Sequence, residues 1–198
     1  MAQEQQEPRP GEGLAYADNI AIAWRPVDHD LDDTHLAMVN ASNENFLRAV
    51  SVIDDGSYSY GKEPPEGTGS IAAELARLDL KLNLVLDLVG TLVYHELEIP
   101  DTTPVRVSST GVAWFAADVP EPGARVFLEL YIQRGLPKPL CCYGDVVSTP
   151  GEHADGEARV RFTGLTGAAS DWLDKLIFRH HRREVAFRRS RNAKPSNS

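Results

Sequence analysis

From residue 70 onward the apolar positions fall into a repeat. Ile71, Leu75, Leu78, Leu82, Val85, Val89 and Leu92 follow one another in alternating steps of four and three, the spacing of a seam that keeps facing a partner helix. Read as one helix, residues 71–96 form a rod roughly 39 Å long at about 1.5 Å per residue. Off the seam, Leu80, Leu84, Leu86 and Leu88 widen the apolar surface, and a helix that is apolar on several sides needs more than one neighbour. Leu75 and Leu82 at a, with Ile71 and Val85 among the d positions, lean toward trimers and tetramers rather than dimers. The pattern therefore predicts an oligomerisation helix over 70–98, with a homotetramer as the expected assembly.

The pattern differs on either side of this rod. Upstream, Ala21–Trp24 alternates as a short strand stopped by Pro26, and residues 27–33 (VDHDLDD) form an acidic linker. Thr34 is placed to cap a helix over 35–54 whose apolar side carries Leu36, Val39, Phe46, Leu47, Val50 and Ile53. Residues 55–70 have turn chemistry throughout. Downstream of Pro104, the runs 105–107, 111–116, 125–133, 140–147 and 158–162 are rich in Val, Leu, Phe and Tyr. The turn signals EPG, RGLPKP and TPGEHADGE separate them, as in a small antiparallel barrel or sandwich. A last helix follows, with Trp172, Leu173, Leu176 and Ile177 in its early turns and a basic second half. The expected class is α+β. Its organisation is a disordered N-terminus (1–15), a strand, helix and loop (16–69), the oligomerisation helix (70–98), a barrel (100–166), a basic C-terminal helix (167–191) and a disordered tail (192–198).

Composition narrows the function more than it identifies it. An apolar fraction of 42% and a charged fraction of 25% are ordinary for a globular domain. No run of about 18 apolar residues exists to span a membrane, and the acidic start MAQEQQEPRPGEG has no signal core, so a cytoplasmic protein is expected. Cys141 and Cys142 are neighbours in a predicted strand and point to opposite faces. They suit neither a mutual disulfide nor a shared metal, and reduced thiols are the expectation. The histidines show no metal-ligand spacing, and no nucleophile elbow, phosphate loop or dinucleotide fingerprint is present. No enzyme activity, cofactor or metal is expected. Charge is segregated: from Arg179 to Lys194 there are seven basic residues and one acidic, Glu184, in a chain of formal net charge −9. Arg179, Arg182, Arg183, Arg188 and Arg189 are therefore the candidate contacts for a partner.

The strand region resembles the PilZ domain family, bacterial β-barrels that commonly serve as cyclic di-GMP receptors. Ser108-Ser109-Thr110-Gly111 matches the second half of the family's Asp/Asn-x-Ser-x-x-Gly motif, and Pro122-Gly123 leads into the strand FLELYI. Gly144-Asp-Val-Val and Val160-Arg-Phe-Thr-Gly-Leu resemble two later strands of the family. The final helix, with Leu173, Leu176 and Ile177 before Arg179, fits as well. Together with the heptad helix and Trp24-Arg25-Pro26, the chain looks like an atypical subgroup from Gram-negative bacteria that inserts long helices and assembles into tetramers. That resemblance implies a PilZ-like barrel and a role in cyclic di-GMP-related control of motility, type IV pili or virulence.

The departures from the family pattern bear on the ligand. Ligand-binding members carry Arg-x-x-x-Arg just before the barrel, to clamp phosphates and stack on guanines; between Leu78 and Val105 this chain has no arginine. Arg106 stands where the family has Asp or Asn, a donor-only cation in place of an acceptor. Ser108 and Gly111 are accounted for as turn geometry. Arg179 and Arg183 have the Arg-x-x-x-Arg spacing, but downstream of the barrel, and the ligand role is not carried to them. The expectation is a non-enzymatic adaptor that self-associates, binds cyclic di-GMP weakly or not at all, and contacts an unidentified protein partner. Two alternatives stand beside it. One is a true receptor with an altered site built on Arg106 and the terminal arginines. The other is an oligomeric nucleic-acid binder using the basic tail, disfavoured because no aromatic-stacking array accompanies the tail.

Overall fold

A computed structural model of the chain describes residues 14–56, 70–97, 99–133 and 136–192. Most of the expected disordered ends (1–15 and 192–198) and of the turn-rich stretch 55–70 lies outside the described residues; against that expectation, Ala15 opens a strand and residues 55–56, 70 and 192 are helical. The elements in order are β1 (Ala15–Pro26), α1 (Asp33–Gly56), α2 (Ser70–Glu96), β2 (Thr102–Ser108), β3 (Gly111–Phe115), β4 (Arg125–Leu130), β5 (Leu140–Val146), α3 (Pro150–Ala154), β6 (Glu157–Thr163) and α4 (Gly167–Asn192). The six strands close into an antiparallel barrel in the order β1-β2-β3-β6-β5-β4. This is the α+β architecture the sequence predicts.

The barrel is larger than its expected boundary at 100–166, because it draws β1 from far upstream. β1 pairs with β2 from Ala15 to Ala21, then changes partner and pairs with β4 from Ile22 to Pro26. At the change Ile20, Ala21 and Ile22 are buried in succession, so the period-2 alternation of an ordinary strand is lost. That loss is why only Ala21–Trp24 is recognisable as a strand in the sequence.

Inward residues fill the barrel with Val107, Val112, Trp114, Val126, Leu128, Leu130, Leu140 and Val160, all at most 1% exposed. Phe46, Leu47 and Val50 of α1 and Leu173, Leu176 and Ile177 of α4 join the same core. Gly144 of β5 is where the walls press closest: a Cβ there would lie 2.6 Å from the Arg161 carbonyl oxygen and against Val160 Cγ1. Only glycine fits without displacing backbone.

Polar side chains fasten α1 to the barrel. The Asn40 amide donates to the carbonyls of Leu36 and Gly164, at 2.9 and 2.8 Å, and its oxygen accepts from the Thr166 N–H at 3.0 Å. Asn43 donates to the Cys141 carbonyl at 2.6 Å and accepts from the Cys141 N–H at 3.0 Å. Its amide thus substitutes for a neighbouring strand where β6 no longer accompanies β5. Thr166 accepts from the Ala169 N–H at 3.1 Å, capping α4. Between β5 and β6, the expected turn TPGEHADGE is a one-turn helix with a full capping box, Thr149 with Glu152.

Candidate functional site

Three surfaces carry the candidate residues: the rod α2, the outer face of β1-β2-β3-β6, and the outer side of α4. Residues 70–96 form one unbroken helix, as the heptad spacing predicts. Leu75, Leu78, Leu82, Val85, Val89 and Leu92 of the seam are all more than half exposed, as are Leu80, Leu84 and Leu88. The Ile71 side chain lies outside the described set. At about 100° per residue, Leu80 and Leu84 begin a second stripe on the side of the helix away from the seam, and Leu88 flanks the seam. Nothing in the described chain covers either stripe.

On the barrel, Arg106 points outward from β2 between Ala17 of β1 and Ala113 of β3, its register partners. The small neighbours leave a shallow cleft of about 440 Å³, lined also by Asp18, Asn19, Pro104, Phe115 and Glu157. Two carboxylate residues thus border the one guanidinium in the cleft. Glu157 is itself held by Arg159 at 2.7 Å, and Arg159 Nε lies 3.2 Å from Glu152. Ser108 is 2% exposed. Its hydroxyl donates to the Gly111 carbonyl at 3.1 Å and lies 3.3 Å from the Thr110 hydroxyl, which pins the β2–β3 turn.

The C-terminal arginines are not one cluster. Arg179 Nη1 donates to the Ser51 carbonyl at 3.0 Å, fixing the end of α1 against α4. Arg182 stands 5.9 Å from the centre of the exposed Phe178 ring. Arg183 is half-buried and engaged, Arg188 pairs with Glu184, and the Arg189 side chain lies outside the described set. Two cations escaped the sequence reading: Lys175 lies 4.3 Å and Arg48 5.9 Å from the Trp172 ring. Arg48 is brought there from α1, and sequence separation hides such a meeting. His180 stacks on Tyr16 with ring centroids 4.5 Å apart.

Burial suppresses ionisation in the barrel. It raises the Tyr16 hydroxyl well above its ordinary value, helped by Asp18, and raises the Cys142 thiol likewise. Cys141 is pushed up to about 11, mainly by burial and then by Glu129. Both cysteines are free, Cys142 inside the barrel and Cys141 outside it, as strand alternation requires. Among the described residues no cluster of His, Cys, Asp and Glu could hold a metal, and no helix is long and apolar enough to cross a membrane.

Comparison with known proteins returns a family match over residues 47–190, described as the atypical PilZ domain, cyclic di-GMP receptor. A search of curated proteins gives no significant match. Among solved structures, the chain is similar to a pathogenic protein from Xanthomonas campestris, described as a new tetrameric PilZ domain self-assembled via an unusual helical bundle. The two are 22% identical, with 88% of this chain and 91% of that one covered and a TM-score of 0.68, a likeness of fold.

Proposed function

The chain belongs to the atypical PilZ domain family, and from that premise we propose that it is a non-enzymatic adaptor assembled through α2. A homotetramer is the expected state, with the barrels carried at the ends of a helical bundle. The observation that carries this reading is the exposure of both leucine stripes of α2, at 51% to 68% for the seam residues from Leu75 to Leu92. Burying that much apolar surface between copies is strongly favourable, and one partner helix cannot cover the seam together with Leu80 and Leu84 on the far side. The assembly described for the Xanthomonas fold neighbour supports it. Light scattering on the full chain tests it: a tetramer mass is expected, and a monomer at micromolar concentration refutes it.

In this reading the barrel does not act by gripping cyclic di-GMP. Arg106 opens into a cleft it shares with Asp18 and Glu157, which would repel a dianionic ligand, and no arginine between Leu78 and Val105 offsets them. Isothermal calorimetry is expected to give no binding, or binding weaker than low micromolar. A tighter constant would favour the second reading, a receptor with an altered site. Arg106 and Arg161, both outward on adjoining parts of the barrel, are what speaks for that alternative.

The adaptor would act in the cytoplasm, in control of motility, pili or virulence, through protein contacts made by the barrel and the C-terminal helix. Joining several copies raises the effective concentration of a weak contact, which gives a non-catalytic domain a use for assembly. A motility or pilus assay on a strain carrying only a monomeric variant is the cellular test, with loss of the phenotype expected.

A further inference from the structure

We infer that the outer seam between α1 and α4 is a docking site for an acidic protein segment carrying apolar side chains. The proposal rests on the adaptor reading above and names the surface and the chemistry of its partner. The surface is built from two rings and three cations. Trp172 lies half-buried at the edge of the core, with Lys175 4.3 Å and Arg48 5.9 Å from its ring centre. Six residues on, and about 120° round α4 toward its outer side, Phe178 is 52% exposed, with Arg182 5.9 Å from its ring.

The seam is preorganised. α1 and α4 pack on each other and into one core, and the Arg179 bond to the Ser51 carbonyl ties them across it. A partner therefore meets cations and rings already in place, which lowers the cost of ordering side chains on binding. Aromatic and arginine side chains at a fixed surface are the groups that dominate protein–protein contacts. A cation over a ring can meet a carboxylate while the ring takes an apolar side chain.

Charge selects the partner. The chain as a whole carries −9, so a local cluster of cations is complementary to an acidic segment. The seam is also bordered by carboxylates: Asp171 and Asp174 are exposed on α4, and Glu44 of α1 accepts from the Thr166 hydroxyl at 2.8 Å. A bilayer or a nucleic-acid backbone presents unbroken negative charge and would press against these groups. A peptide with separate carboxylates can engage the cations and pass between them. The surface thus fits an acidic peptide better than a membrane or DNA.

The test uses the full chain and a labelled peptide in which Asp and Glu alternate with Leu and Phe, read by fluorescence anisotropy. The same peptide with Asn and Gln, vesicles containing phosphatidylglycerol, and a DNA duplex are the competitors. A variant with Arg48→Glu, Lys175→Glu and Arg182→Glu is set against a charge-matched control with Arg25→Glu, Arg125→Glu and Lys138→Glu. Binding of the acidic peptide is expected to weaken roughly tenfold or more in the first and less than about threefold in the second. Both should keep the wild-type mass; the control is expected to melt lower, because Arg125 pairs with Asp145 at 3.2 Å and Arg25 lies over the Phe127 ring. Equal weakening in both, no binding of the acidic peptide, or a preference for the neutral peptide, the vesicles or the duplex would overturn the proposal. Because mass is recorded alongside, a monomeric chain that still selects the acidic peptide would sink only the assembly reading.

Discussion

α2 and the barrel strands are made from the same residues and treat them in opposite ways. The barrel turns Val107, Val112, Leu128, Leu130 and Val160 inward until none is measurably exposed. α2 holds Leu75, Leu80, Leu84 and Leu88 out on two sides, each more than half exposed. A sheet that closes on itself buries its apolar face within one chain. A single rod cannot, because a helix has no second surface of its own to fold onto. The same leucines therefore stabilise a domain in one place and, in the proposed assembly, meet another molecule in the other.

Breaking the assembly side should give the largest effect. Leu78→Asp with Val85→Asp puts carboxylates where α2 would meet its copies, at a cost of several kcal/mol per chain. Light scattering should then show monomers, while near-UV circular dichroism of the barrel stays unchanged. A loss of barrel signal would mean the two regions are not independent. On the other side of the comparison, Trp114→Ala opens a cavity among residues at most 1% exposed. It should destabilise the barrel by about 3–5 kcal/mol, seen as a lower melting temperature with the assembly mass retained.

Gly144→Ala should cost about 2–3 kcal/mol, since its methyl group has no space against Val160 and the Arg161 carbonyl. Chemical denaturation measures it; a neutral result would mean the β5–β6 contact relaxes freely. The smallest effect is a pH dependence. Cys141 ionises near 11 in the folded chain and closer to 9 when unfolded. Above pH 9 the unfolded state gives up a proton that the native state keeps, so stability falls with rising pH through that window. In thiol-labelling kinetics Cys141 should react only slowly at neutral pH, and Cys142 only on unfolding.

The sequence made legible whatever repeats locally. The 4-3 steps of α2, the five downstream strands and the apolar face of the last helix are periodic, and the structure has them where the pattern put them. What it hid depends on distance along the chain. β1 joins β2 and β4 across α1 and α2, and Asn40 and Asn43 look like blemishes on an apolar helix until Gly164, Thr166 and Cys141 come to meet them. The C-terminal arginines show the same limit. As a run they read as one positive cluster, yet Arg179 is spent on Ser51 and Arg188 on Glu184, while Arg48 arrives from another helix. The Thr149–Glu152 capping box was readable as T-x-x-E, but the glycines around it read as turn.

The partner change in β1 has a consequence for how the chain is made. Ala15–Pro26 leaves the ribosome before α1 and α2, but both strands it needs, Thr102–Ser108 and Arg125–Leu130, are encoded after α2. Domains acquire structure as they emerge, from the N-terminus onward. The rod is therefore complete before the barrel has a second strand to begin from. On a message carrying several ribosomes, the leucine stripes of neighbouring nascent chains can meet before any barrel has closed, so the order of the elements gives assembly the first opportunity and domain folding the second.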